Sequence, residues 1–164
     1  MTVVKRIHKT KTVYLCGPIA GCTTEDMHGW RNRIKSHMAL HYNNTELVGF
    51  GKVDSILHPL FHYLDPTDRV YTFEEEEDPN ITKEIILNDK YYISQSDILV
   101  ANMSMLKKYK CTGSTMEIIY AYGLGKYVLT IVDPEAPISP WTRYHTTTIV
   151  RSEQEAIDVL RKLA

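Results

Sequence analysis

A single-domain, open parallel α/β sheet with helices on both faces is the fold this sequence predicts. Three observations carry the prediction. Residues 12–16, 97–103 and 127–132 are short, near-continuously apolar runs, the pattern of parallel strands covered on both faces. Between these runs, apolar residues recur at spacings of three and four, so strand and helix alternate along the chain. A length of 164 residues suits one domain, which buries roughly two-thirds of the surface its unfolded chain exposes.

Each element has its own local signal. TVYLC at 12–16 stops at Gly17-Pro18, a strand running into a loop. Over 23–40, Met27, Trp30, Ile34, Met38 and Ala39 share one helix face. Thr23 or Thr24 stands as N-cap, with Glu25 and Asp26 complementing the dipole in the first turn. Within 46–63, LVGF and SILHPLFHYL suggest a second strand and an added hairpin, interrupted by Pro59. Asp65-Pro66-Thr67-Asp68 reads as a turn and the acidic run 74–78 as a solvated loop closed by Pro79. Ile81, Ile85, Ile86, Tyr92 and Ile93 mark the next helix, and 97–103 the third strand. A polar loop, 104–114, leads into a helix over 115–123. Strand 127–132 is followed by a loop holding Pro134 and Pro137. A short strand at 147–150 precedes an amphipathic helix, 152–163, with Ser152 as N-cap and Ala156, Val159, Leu160 and Leu163 on one face. No repeat or linker divides 1–164. The succession is that of a flavodoxin/Rossmann-like sheet, whose ligands sit beyond the carboxyl ends of the strands. That rule selects the loops after 12–16, 97–103 and 127–132.

Composition removes several classes of function. Nineteen Lys plus Arg against twenty Asp plus Glu give a net charge of −1, without the basic excess of a nucleic-acid binder. No apolar run approaches the ~18 residues of a membrane span, and residues 1–12 lack the apolar stretch of a signal peptide. Cys16, Cys22 and Cys111 are odd in number and form no CxxC pair, which argues against a disulfide framework or structural zinc and for a reducing cytoplasm. The seven histidines show no HExxH or other metal spacing, so no metal is expected. Gly17-Pro18-Ile19-Ala20-Gly21 is neither GxGxxG nor GxxxxGK[ST], and no GxSxG elbow occurs. No cofactor is therefore expected.

The remaining candidates are few. The Gly17–Gly21 loop is either a tight structural turn or a place where a ligand meets backbone and a helix N-terminus. Glu117, in Gly113-Ser114-Thr115-Met116-Glu117 at the start of the helix, is a nucleophile or base, or a first-turn Glu complementing the dipole. From position alone the second role has the stronger claim. Asp89 is a second site carboxylate or a solvated helix residue, and two carboxylates in one pocket permit division of acid and base work through split pKa values. Trp30 and Trp141 read as packing anchors, Arg31 and Arg33 as phosphate contacts or a solvated face, and Cys111 as a loop thiol with no His placed to activate it.

VYLCGPIAG at 13–21, HGWR at 28–31, DPTDRVY at 65–71, ILNDKYYISQSDILVANM at 86–103, GSTMEIIYAYGLGKYV at 113–128 and SPWTRYHTT at 139–147 together resemble the nucleoside 2-deoxyribosyltransferase family in its bacterial and phage-type branch. Only about 41–64 lacks counterparts. The resemblance implies Glu117 as nucleophile and an active-site Asp eight residues before Asp97, which is Asp89. It also implies that Tyr14 lies against the nucleophile. The GPIAG loop (Gly17, Pro18, Ile19, Gly21) would line the sugar and base pocket, with Asp65, Gly113, Ser114 and Met116 as further substrate contacts. A residue from a neighbouring subunit, nearest to Ser139, would complete each site in a homodimer or larger homo-oligomer. The implied partners are nucleosides and nucleobases. One departure bears on the substrate: six residues before the nucleophile, transferases of the family carry an acid and nucleotide-hydrolysing relatives a serine, whereas Cys111 stands here. The expected activity is deoxyribosyl transfer, ahead of hydrolysis of a nucleoside 5′-monophosphate and of nucleotide sensing without turnover.

Overall fold

The computed structural model describes residues 9–41 and 57–164. Strand β1 (Thr12–Cys16) leads through a wide helical turn, Glu25–Gly29, into α1 (Trp30–His37). Strands β2 (Ala39–His41), β3 (Leu57–Pro59) and β4 (His62–Leu64) follow, then a 3₁₀ turn, Pro66–Asp68, and helices α2 (Phe73–Glu77) and α3 (Pro79–Gln95). The rest of the chain is β5 (Ile98–Met103), α4 (Thr112–Gly123), β6 (Tyr127–Val132), α5 (Pro140–Tyr144), β7 (Thr148–Val150) and α6 (Glu153–Leu163).

β4, β1, β5, β6 and β7 form, in that order, one sheet in which every neighbouring pair is parallel. β2 and β3 form a separate antiparallel ladder. The expected open parallel sheet is therefore the observed one. All six residues of β5 are buried, Asn102 among them, which explains the near-continuous apolar run: helices cover both faces. Alternation along each strand sorts the core into two layers. Val13 and Leu15 pack with Trp30 and Ile34 of α1, Met38 just after it, and Ala156, Ile157 and Leu160 of α6. Tyr14 and Cys16 pack on the other face with Leu99 and Ala101 of β5, Ile93 of α3, and Ile118 and Ala121 of α4. Trp30 fills the first layer so closely that a Cβ on Gly17 would stand 2.8 Å from its ring. Truncating Trp30 to Ala would cost about 3–5 kcal/mol.

Several boundaries differ from expectation for local reasons. The acidic run is not a loop but the helix α2, because Thr72 and Glu75 form a reciprocal capping box and the acids fall in the first turn. Asp78 then caps α3, with Pro79 at its first position. The helix expected over 23–40 ends at His37, and residues 39–41 pair with β3 instead. The helix expected from 115 begins at Thr112. Helix α5 is too short to show periodicity; Ser139 caps it, accepting from the Thr142 N–H, with Pro140 at its first position. Of the expected second strand and hairpin, β3 and β4 are present, and residues 42–56 lie outside those described. Among the described residues no helix is long and apolar enough to cross a membrane.

Candidate active site

A cavity of about 380 Å³ opens at the carboxyl ends of β1 and β4, between α3 and the start of α4. This is the switch point of the sheet, since the chain passes from β1 to β4 on one side and returns to β5 on the other. Gly17 to Ala20 form one wall and residues 65–71 another. α3 supplies Glu84, Ile85, Asn88, Asp89 and Tyr92, a helical stripe, and α4 supplies Gly113, Ser114 and Glu117. Of the three loops the strand-end rule selects, the one after β1 lines the cavity and the one after β5 reaches it through Lys110 and Cys111. The loop after β6 stays away.

Glu117 is the centre of the arrangement. Because α4 starts at Thr112, Glu117 belongs to the second helical turn, and its half-buried carboxylate turns inward rather than complementing the dipole. The Tyr14 hydroxyl donates to Oε1 at 2.7 Å and the Cys16 thiol to Oε2 at 2.8 Å. Both donors belong to β1, two residues apart and so on one face, and both are fully buried behind the carboxylate rather than in the cavity wall. Asp89, one layer across on α3, hydrogen-bonds Glu117 as well.

Two carboxylates in contact cannot both ionise cheaply. Burial, and then the Glu117 charge, push Asp89 up to about 7. Burial raises Glu117 as well, opposed by the bonds it accepts from Cys16, Tyr14 and Asp89 and by the charge of Arg31. Asp89 therefore carries the shared proton and donates it, while Glu117 is the anion. The Tyr14 phenol, raised by burial and then by Glu117, stays protonated and keeps donating.

A further carboxylate, this one buried, borders the cavity. Asp65 Oδ1 accepts from the Thr67 N–H at 3.0 Å and the Thr67 hydroxyl at 2.6 Å, and Oδ2 from Lys35 Nζ at 2.6 Å. Arg31 Nε stands 3.4 Å from Oδ1. Arg31 is fully buried, so neither a phosphate contact nor a solvated face describes it. Its guanidinium donates to the carbonyls of Met27, of Gly17 at 3.2 Å and of Leu15 at 3.5 Å, and lies over the Trp30 ring. Arg31 thus ties β1, the loop after it and the 65–68 turn into one rigid wall. Arg33 instead bridges Glu25 and Glu153 at the surface.

Of the sequence-selected residues, Glu117, Asp89, Tyr14, Gly17, Pro18, Ile19, Asp65, Gly113 and Ser114 come together around this cavity. Gly21 lies beyond its wall, with φ of 71° closing the loop. Met116 points to solvent, 61 % exposed, because its place on α4 is a quarter-turn from Glu117. Ser139 is spent on capping α5 and lies elsewhere in this chain. Trp141 is 65 % exposed and anchors no core. Cys111 ends the polar loop, buried just before α4; burial, and then Cys22, push it up to about 11, so it supplies no anion. Sequence reasoning missed Cys16, which period-two spacing from Tyr14 would have placed, and the cavity-lining Arg69, Tyr71, Glu84 and Asn88. Among the described residues no three His, Cys, Asp or Glu side chains group as a metal would require.

A family model described as nucleoside 2-deoxyribosyltransferase matches residues 13–157. Among solved structures, the chain is similar to a 2-deoxyribosyltransferase from the psychrotolerant bacterium Bacillus psychrosaccharolyticus, at 14 % identity and a TM-score of 0.62 over 90 % of each chain. A conserved protein from Enterococcus faecalis V583 is similar at 13 % identity and a TM-score of 0.63, over 95 % of this chain and 100 % of that one. The CMP N-glycosidase BcmB of Clostridium botulinum is similar at 13 % identity and a TM-score of 0.51, over 92 % and 99 %. At such identities the likeness is one of fold. No curated protein matches the chain.

Proposed function

The chain belongs to the nucleoside 2-deoxyribosyltransferase family, whose enzymes transfer or hydrolyse at nucleoside N-glycosidic bonds, and on that premise we propose that it moves 2′-deoxyribose between nucleobases through a covalent bond to Glu117. The observation that carries the proposal is the carboxylate itself: an anion at the cavity floor, both oxygens oriented by buried donors, beside a carboxylic acid that holds a proton near neutral pH.

In the first step Glu117 attacks C1′ as the C1′–N bond breaks, through an oxocarbenium-like transition state. The electron pair leaves with the base, whose nitrogen takes the proton from Asp89. A second base then attacks C1′ from the vacated face as the C1′–O bond to Glu117 breaks, which restores the carboxylate, and the base returns a proton to Asp89. Two inversions give net retention, as in retaining glycosidases. Tyr14 holds Glu117 in line. An acceptor base filling the cavity keeps water from the glycosyl-enzyme.

Hydrolysis of a nucleoside 5′-monophosphate is the second reading. Lys110 borders the cavity beside Gly113 and Ser114 in the first turn of α4, where a phosphate would meet both a cation and free N–H groups. The proposal extends to a homo-oligomer with shared sites. Met116, Trp141 and Tyr144, all more than half exposed, are apolar side chains such an assembly would cover, and sedimentation velocity measures its order.

A paired turnover assay separates the two chemistries. The protein is given 2′-deoxynucleosides and their 5′-monophosphates, each with and without an added free base. A new deoxynucleoside formed only with added base is the expected result. Free base released from the monophosphate without an acceptor would replace transfer by hydrolysis. Neither product from folded protein would overturn both.

A further inference from the structure

We propose that Cys16 is a positioning residue for the glycosyl-transfer step, its thiol fixing Oε2 of Glu117 as the attacking oxygen while Tyr14 holds Oε1. The inference rests on the reading of Glu117 as nucleophile and deepens it.

The geometry is specific. Cys16 ends β1, fully buried, and its sulfur lies 2.8 Å from Glu117 Oε2 and 3.7 Å from the Ser114 carbonyl oxygen. The backbone on either side is pinned, since Arg31 Nη2 donates to the carbonyls of both Leu15 and Gly17. The thiol therefore has little freedom to move away. Burial, and then the Glu117 charge, keep it protonated, so it serves as a donor.

The two donors differ in strength, and that difference assigns the oxygens. A phenol hydroxyl withdraws electron density from Oε1, whereas a thiol is a weak donor. Oε2 is thus held in place with most of its nucleophilicity intact. As Oε2 forms its bond to C1′, the C1′–N pair departs to the base, which is protonated by Asp89. The thiol keeps its own proton throughout. The titratable and charged groups facing Glu117 are Tyr14 and Cys16 on β1, Asp89 on α3 and Arg31 on α1.

Two variants and one spectroscopic band test the proposal. Cys16→Ala removes the donor: kcat falls about tenfold, KM stays within about twofold, and the acid limb of kcat/KM moves up by about one pH unit. Cys16→Ser restores a donor: its acid limb returns to the wild-type position or below, with kcat a few-fold short because a hydroxyl withdraws more strongly. A packing role alone would make both smaller side chains behave alike. Independently of turnover, the infrared S–H stretch lost in Cys16→Ala is followed in Glu117→Gln, where the weaker acceptor shifts it to higher wavenumber. A band indifferent to Glu117→Gln, or a Cys16→Ala enzyme with wild-type kcat and pH profile, overturns the role of Cys16. A shifted band in a protein that releases no base overturns the reaction, and with it the positioning of an attack, while leaving the hydrogen bond in place.

Discussion

Two carboxylate sites line the same cavity, one buried and one half-buried, and they are solved in opposite ways. Asp65 is surrounded by cations and donors: Lys35, Arg31 and both polar groups of Thr67. Burial pushes its carboxyl up, but the bonds from Lys35 and Thr67 outweigh burial and hold it below its usual range. Among the described residues, Glu117 and Asp89 have no cation in hydrogen-bond contact, only neutral donors and each other, and both are raised. A compensated carboxylate is a structural tie whose lone pairs are spent. An uncompensated pair stores proton affinity that a reaction can use. The contrast separates scaffold from chemistry by charge compensation, since both sites are at least half-buried.

Four experiments break or sharpen that contrast. Glu117→Gln removes the proposed nucleophile while keeping shape, so turnover falls on the order of 10⁴-fold or more with no loss of stability, as product formation and thermal melting will report. Asp89→Asn removes the proton donor: kcat falls about 10²- to 10⁴-fold, and the basic limb of the pH–rate profile near 7, where Asp89 titrates, disappears. Arg31→Met strikes the scaffold instead. Removing one partner of a buried ion pair costs about 3–5 kcal/mol, read as a lower urea midpoint, with activity lost only as the fold is lost.

The fourth experiment uses the opposite signs of the shifts. Asp65 is lowered in the folded state, so its stabilisation is present above its unfolded pKa of about 3.9 and fades as pH falls. Asp89 is raised to about 7, so its contribution is present below about pH 4 and is lost as pH rises through neutrality. Urea midpoints across that range should therefore flatten on the alkaline side in Asp89→Asn and on the acid side in Asp65→Asn. The same flattening in both variants would erase the distinction between the two sites.

How far the site was legible follows from how local each signal is. Glu117, Asp89 and Tyr14 were reachable because they sit in ordered motifs of one family. Yet residue positions alone gave Glu117 a dipole role, and the extra turn at Thr112 removes it by carrying Glu117 inward. Arg31 looked like one of two interchangeable surface arginines two residues apart. A helix rotates such neighbours by about 200°, so one is buried and the other solvated, and nothing local says which.

The linear chain by itself determined the parallel α/β sheet, the succession of its main strands along the chain and the capping of α6. Those follow from apolar periodicity and side-chain-to-backbone bonds a few residues apart. Only the tertiary structure decided which carboxylates would be neutralised and which left to hold a proton. That outcome depends on charges and donors brought together from residues 14, 16, 31, 35, 65, 67, 89 and 117. The electrostatic field at a buried group is a sum over its neighbours in space, so no local stretch of sequence contains it.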